Sequence, residues 1–584
     1  MQRHALATAL FAAIVLSACT SAPTEREAQA AGTIRDQVSP PAPPPPAEPS
    51  AVDAIGGATH AKALVAARMR AEETRMAYAP AAPASIAYDM AAPPIYTQPA
   101  NTENYAERSD NPVQRVAEQP VSTFSIDVDT GSYSNVRRMI RQGLRPPADA
   151  VRAEEFINYF DYGHPGPTSL DTPFRATVEV APAPWNTQRH LLMVGIKGFD
   201  VPKAELPPAN LVFLLDTSGS MNSPDKLPLL KQAFSELTQQ LRAQDRVSIV
   251  VYAGSAGLVL PPTPGDRKDE ILAALNRLEA GGSTNGGDGI RLAYAMAKRA
   301  FVKDGVNRVI LATDGDFNVG TVDGGSLETM VADQRKSGIA LTTLGFGAGN
   351  YNDHLAERLA DAGDGNHAYI DTLQEARKVL VEEMSSTLLT IAQDVKIQVE
   401  FNPALVSEYR LIGYENRMLA REDFANDQVD AGDIGAGHEV TALYEITLAG
   451  SGAERLPPLR YGAPAQAPDA RTSDELAHLR LRYKRPGEST SRLIETPVLR
   501  SAIARQPGES MRFAATVAAW ADALRGGKHL EQWDWSAIAA GARAAQGRDP
   551  WKLRAEFAEL IDASRALVVD GESVEQPQLS SISR

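Results

Sequence analysis

A single cysteine, Cys19, stands among the 584 residues. No disulfide network can therefore brace the fold, and no thiolate cluster can hold a metal. Basic residues are also in deficit, 58 Lys and Arg against 73 Asp and Glu, for a formal charge of −15 and a pI near 5.2. A face that neutralises phosphates needs the opposite balance, so nucleic acid is not an expected partner. Anionic lipid headgroups would be repelled too, and membrane contact would require an anchor. Beyond the N-terminus no apolar run approaches the ~20 residues that span a bilayer as a helix. Signatures of catalysis are missing as well: there is no HExxH, no GxSxG elbow, no paired Cys and His and no phosphate loop with its lysine, so the chain reads as a non-enzyme. GGSTNGGDG at 281–289 lacks the Gly-Lys-Ser/Thr ending of a phosphate loop. GFGAGN at 345–350 lacks the last glycine of the dinucleotide fingerprint. Both read as tight turns at strand ends, and no nucleotide is expected.

What the chain does have is 43% hydrophobic residues, which can bury sizeable cores, and a length that holds about three or four domains. It is organised around LVFLLDTSGS at 211–220. Five consecutive large apolar residues read as a strand buried on both faces, and the Asp and two Ser that follow sit at its carboxyl end, where open α/β sheets bind ligands. RVILATD at 308–314 repeats the pattern from far away in sequence, and GGSTNGGDGI at 281–290 lies between the two, just before a helix. Asp216, Ser218, Ser220, Thr284 and Asp314 are thus short oxygen donors on loops at one end of a sheet, with Ser283 as the alternative to Thr284. Hard oxygen ligands with few carboxylates suit Mg²⁺, which keeps some of its waters; Mn²⁺ and Ca²⁺ are the alternatives. Taken singly, the same residues would be no more than helix N-caps.

Asp216-x-Ser218-x-Ser220 with the distant Thr284 and Asp314 resembles the metal-ion-dependent adhesion site of the von Willebrand factor type A domain. The resemblance implies a doubly wound, Rossmann-like α/β domain with a parallel sheet. It implies that Ser218, Ser220 and Thr284 bind the metal directly or through water, that Asp216 and Asp314 act mostly through water, and that a Glu or Asp carboxylate of a partner protein completes the shell. Binding rather than catalysis is what it points to. The run FSIDVDTGSYSNVRRMIRQGLRPPADAVRAEEFINYFDY at 124–162, the phrase DAGDIGAGHEVTALYEI at 430–446 and the C-terminal end resemble a family of bacterial lipoproteins. In that family a short module precedes the A domain and an uncharacterised domain follows it; the likeness covers about residues 113–570.

Arg3, an apolar run of 12 residues from Ala5 to Leu16, and then Leu16-Ser17-Ala18-Cys19 look like a secretory signal ending in a bacterial lipobox. This implies lipidation of Cys19 and a place in the cell envelope; Thr20 in the next position, rather than Asp, points to the outer membrane. From Thr20 to about Pro112 the chain is rich in Ala, Pro and small polar residues and reads as a tether, with helical composition at 58–77. Asp127, Asp129 and Gly131 echo a calcium loop but lack its later ligands, so a strand-end turn and helix cap explain them better.

The expected organisation is a signal peptide at 1–18, lipidated Cys and tether at 19–112, the N-terminal module at 113–170, and strands of a β-sandwich at 171–208. The A domain follows at 209–384, then the rest of the sandwich at 385–490 and a C-terminal helical domain and tail at 491–584. Alternating strands at 174–182 and 189–198 are expected to join those at 395–401, 409–414, 439–447 and 477–483, with the A domain inserted in their sandwich. Trp533, Trp535 and Trp551 are expected to fill the small helical core, and His438 reads as a loop residue. The expected function is a lipid-anchored envelope protein that binds a partner's carboxylate through a divalent metal. A structural envelope scaffold without a metal-dependent ligand is the first alternative, and a metal-dependent hydrolase the second.

Overall fold

The computed structural model describes residues 103, 105–107, 109–283, 286–315, 324–349, 351–457, 460 and 474–572. The segments expected to be a signal peptide and, for the most part, a tether, with Cys19 and the stretch 58–77, lie outside them, as does Thr284. Among the described residues no helix is long and apolar enough to cross a membrane.

Short strands β1 (Gln114–Arg115) and β2 (Val121–Ser125) lead to helices α1 (Gly131–Arg141) and α2 (Ala153–Asn158). Between the two helices lies Pro146-Pro147, which has no amide hydrogen to continue a helix. β3 (Phe174–Ala183) and β4 (Asn186–Gly198) pair as an antiparallel hairpin. Strands and helices then alternate: β5 (Ala209–Asp216), α3 (Leu227–Gln240), β6 (Arg246–Tyr252), β7 (Ala256–Pro264), α4 (Lys268–Asn276), α5 (Gly286–Arg299), β8 (Val306–Thr313), α6 (Gly324–Arg335), β9 (Ala340–Phe346), α7 (Asp353–Ala362) and β10 (His367–Ile370). Their sheet runs β10-β9-β8-β5-β6-β7, parallel throughout except for the edge pair β6 and β7. Every residue of β5 is buried, as its unbroken apolar run requires when helices cover both faces. From β5 the chain winds to one side and from β8 to the other, so these neighbours flank the crevice where the winding reverses.

The helical segment after β10 is interrupted: α8 (Leu373–Arg377) passes through a π turn at Lys378–Glu382 into α9 (Met384–Leu388). The chain then returns to β structure with β11 (Thr390–Phe401), β12 (Val406–Ile412), β13 (Ile434–Gly435), β14 (Glu439–Leu448), β15 (Glu475–Lys484) and β16 (Arg492–Leu499). One sheet has the order β1-β12-β14-β4-β3; the other runs β13-β11-β15-β16, with β2 also paired to β11. Val194, Ile196, Ala442 and Tyr444 of the first share a core with Phe124, Ile397, Val399, Leu479 and Leu481 of the second. Met193 lies opposite Leu443, so the α/β unit is inserted within a β-sandwich. β16 carries the sandwich to Leu499, beyond residue 490; its Pro497 is tolerated because the strand is an edge.

The C-terminal helices α10 (Glu509–Leu524), α11 (Trp535–Ala544) and α12 (Leu553–Glu572) do not close a core of their own. They share one with α1, α2 and residues Ala181, Ala183, Leu191 and Met193 of the β3–β4 hairpin. The tryptophan at its centre is Trp520, not the three expected: Trp533 and Trp535 are only partly buried at its edge, and Trp551 is 54% exposed. The reason is position. Trp520 lies mid-helix among alanines that let neighbouring helices approach, whereas Trp551 sits in the turn before α12.

Where α2, the α/β unit and the sandwich meet, acids crowd together. Asp127 and Asp129 accept from Arg417 at 3.0 and 3.4 Å, and Asp129 also takes the backbone N–H of His367 at 2.7 Å. Glu154, 1% exposed, has neither carboxylate oxygen hydrogen-bonded. Burial, with Glu415, Asp127 and Glu155 adding repulsion, pushes its carboxyl up to about 8. A carboxyl raised above its unfolded value of about 4.3 contributes stability that is present at low pH and lost as pH climbs through the folded value. The stabilities of the wild type and Glu154→Gln should therefore converge near pH 4 and separate upward, Gln ahead at pH 8, by at most about 1.4 kcal/mol per pH unit. Denaturant midpoints between pH 4 and 9 would show this; parallel curves would refute it.

Candidate functional site

The site forms where β5 and β8 end side by side. Asp216 closes β5 with no solvent exposure. Its Oδ1 accepts the backbone N–H of Ser218 at 2.8 Å, the local turn that an Asp followed two residues later by a free amide favours. Its Oδ2 accepts the Thr313 hydroxyl at 3.2 Å, and Thr313 Oγ1 in turn takes the Gly315 N–H at 3.1 Å. Burial, and after it the like charge of Asp314, push the Asp216 carboxyl up to about 6 against the opposing hydrogen bonds from Ser218 and Tyr252.

The hydroxyls of Ser218, buried, and Ser220, exposed, lie 3.0 Å apart, so two neutral oxygen donors meet at the mouth above the buried acids. Gly219 N–H donates to Gly282 O at 3.0 Å and Gly281 N–H to Thr217 O at 2.8 Å. These bonds stitch the turn after β5 to the glycine-rich loop, where Gly282 adopts a left-handed φ of 83° that favours glycine. Ser283 is exposed on that loop. Asp314, fully buried, follows β8, and its Oδ2 accepts from Lys226 Nζ at 2.8 Å.

Four of the five residues expected at the site are thus described, and the fold brings them to one end of one sheet. Lys226 and Thr313 were not foreseen. Thr313 could have been read as the residue before a strand-terminal Asp, but nothing in DTSGSMNSPDK sets Lys226 apart from an exposed lysine. His438, at the β13–β14 turn, has its imidazole lowered to about 4 by burial, and among the described residues it belongs to no group of three His, Cys, Asp or Glu that could hold a metal.

Among the described residues no three His, Cys, Asp or Glu converge to hold a metal. An ion at this site would be held by hydroxyls and water as much as by carboxylates. Such a mixed oxygen set fits a hard divalent cation that keeps part of its hydration.

Residues 210–383 match the von Willebrand factor type A domain family, residues 99–193 a family described as von Willebrand factor, and residues 386–567 one described as uncharacterized protein YfbK, C-terminal. The chain is 50% identical over 467 residues to the uncharacterized protein YfbK of Escherichia coli (strain K12), covering 79% of this chain and 81% of that protein. It is 28% identical over 247 residues to the uncharacterized protein sll0103 of Synechocystis sp., covering 41% and 57%. Among solved structures, a von Willebrand factor type A protein from Catenulispora acidiphila aligns at 16% identity over 68% of this chain and 91% of that one, with a TM-score of 0.38.

Proposed function

Because the chain belongs to the YfbK family and carries a von Willebrand factor type A domain, we propose that it is a protein-binding module of the bacterial cell envelope, anchored through lipidated Cys19, that grips an acidic group of a partner protein through a divalent ion. The observation that carries this reading is the convergence of buried Asp216 and Asp314 beneath the paired hydroxyls of Ser218 and Ser220, at the point where the winding of the sheet reverses. Ser218, Ser220 and Thr284 would hold Mg²⁺ or Mn²⁺, and Asp216 and Asp314 would accept hydrogen bonds from its waters. When bound, the ion supplies a positive centre that lets an acidic protein receive a partner's carboxylate. The backbone and Thr313 hydrogen bonds to Asp216 keep that carboxylate in place before any ligand arrives, which lowers the ordering cost of binding.

The test is the thermal stability of the full chain titrated with Mg²⁺ and Mn²⁺, beside Ser218→Ala and Asp314→Ala. Saturating stabilisation of the wild type is expected, reaching about 2.7 kcal/mol at 100 times the dissociation constant. Neither variant should show it. Equal stabilisation of all three proteins would mean diffuse cation binding by an acidic surface and would sink the proposal.

A further inference from the structure

Away from the metal site, Arg410 is a buried cation without a hydrogen bond. It lies on β12 directly opposite Glu445 of β14, and its side chain is 7% exposed. Its Nε–H is shut from water and has no acceptor, and its guanidinium forms no other hydrogen bond among the described residues. Buried guanidinium groups normally use several of their five N–H donors. The carboxylate nearest to pairing with it, Glu445, keeps Oε2 3.7 Å from Nη2. That oxygen already accepts from Arg455, and Glu445 Oε1 accepts from the Trp185 indole at 2.9 Å.

The other acids nearby are engaged elsewhere. Asp522 accepts the backbone N–H of His529 at 3.0 Å, Asp110 pairs with Arg525 at 2.6 Å, and Glu415 lies 3.8 Å from the same arginine. Burial, with Arg455 adding repulsion, holds the Arg410 guanidinium below its usual range against the pull of Glu445, Asp522 and Asp110. His529 responds to the same surroundings: burial, and then Arg410 and Arg455, push its imidazole down to about 4. Because Arg455 can only donate, its contact with His529 Nδ1 at 3.4 Å makes Nδ1 the acceptor. The ring proton then sits on Nε2, which is a second donor.

Arg410 and His529 line one cavity, together with Trp185, Ala519 and Leu530, and its free space is about 20 Å³. That is room for one particle of about the size of a water molecule, and too little for a carboxylate, phosphate or sulfate group. A water would accept hydrogen bonds there but bring no charge to a desolvated cation. A halide does both. We propose that this cavity is a chloride site, in which the anion accepts hydrogen bonds from Arg410 and His529 and fastens α10 to the β-sandwich. The inference is independent of the metal-dependent reading and stands or falls without it.

The test uses the full chain prepared in sodium gluconate and titrated with sodium chloride at constant ionic strength, following the excess width of the chloride NMR signal and the urea midpoint. The formal charge of −15 leaves chloride few competing sites on the surface. The wild type should broaden the signal, bromide should reverse the broadening, and the urea midpoint should rise to a plateau. At about ten times its dissociation constant, chloride should raise the folded-to-unfolded ratio about elevenfold. Arg410→Met keeps most of the volume and should lose both responses. His529→Leu should weaken chloride binding by about tenfold, and it answers the question if Arg410→Met does not fold. No chloride response in the wild type would mean that water fills the cavity and would overturn the proposal. Equal responses in the wild type and a folded variant would place any bound chloride elsewhere and overturn it as well.

Discussion

Arg137→Met is expected to destabilise the protein by about 3–5 kcal/mol, because it strips the cation from a buried ionic cluster and leaves the acids behind. Arg137 belongs to α1 and is almost fully buried. Its guanidinium donates to Asp371 and, at 2.7 Å, to Glu375, to the Tyr159 hydroxyl at 2.7 Å and to Glu556 at 3.2 Å. Those partners come from α2 and its following turn, from the segment after β10, from α8 and from α12, so one side chain ties the N-terminal helices to the α/β unit and to the C-terminal helices. The side chains of Asp371 and Glu375 are 3% and 1% exposed, and one oxygen of Glu375 already lacks a hydrogen bond. Methionine fills much of the volume but supplies no charge, and the desolvated carboxylates must then take up protons or open the junction to water. Urea unfolding at pH 7 measures the loss. A change below about 1 kcal/mol, the level of an exposed pair, would show that the cluster is neutralised some other way.

Trp520→Ala should cost a comparable amount, about 3–5 kcal/mol, for a different reason. Its indole is fully buried, with its ring 5.1 Å from Phe156 and 5.4 Å from Phe557, and its N–H donates to Ser564 Oγ at 2.9 Å. Truncation removes the apolar contacts, leaves a cavity between α2, α10 and α12, and takes away the hydrogen bond that Ser564 Oγ accepts, although that hydroxyl still donates to Ile561 O at 3.0 Å. Neighbouring alanines on α10 have no side-chain length with which to fill the space. Trp551→Ala, at a 54% exposed position, is expected to change stability by no more than about 0.5 kcal/mol. Thermal or denaturant midpoints of the two variants side by side provide the check. Similar losses would mean that the helical core is packed around the loop tryptophan instead.

The site was legible in the sequence to the extent that its signal is local. An apolar run ending in Asp marks a buried strand and places an acid at its carboxyl end, and this happens twice, at Asp216 and Asp314. Two such strands must end together only if they are neighbours in the sheet, and the reversal of winding between β5 and β8 makes them so. Lys226 carried no such mark. What distinguishes it is the loop after β9, about 120 positions away, that encloses its stem. Thr284 matched the pattern but lies outside the described residues.

Composition and periodicity by themselves determined the acidic surface, the α/β alternation of the central unit, the β character of the segments around it and the oxygen donors at 216–220 and 314, because each depends on residues close together in the chain. Only the tertiary structure decided that β4 pairs with β14 across the inserted unit, that Trp520 rather than three other tryptophans centres the helical core, and that Arg137 and Lys226 are buried counter-ions rather than solvated charges. Pairing across hundreds of residues and the burial of a long charged side chain depend on which surfaces meet, and no short stretch of sequence encodes that meeting.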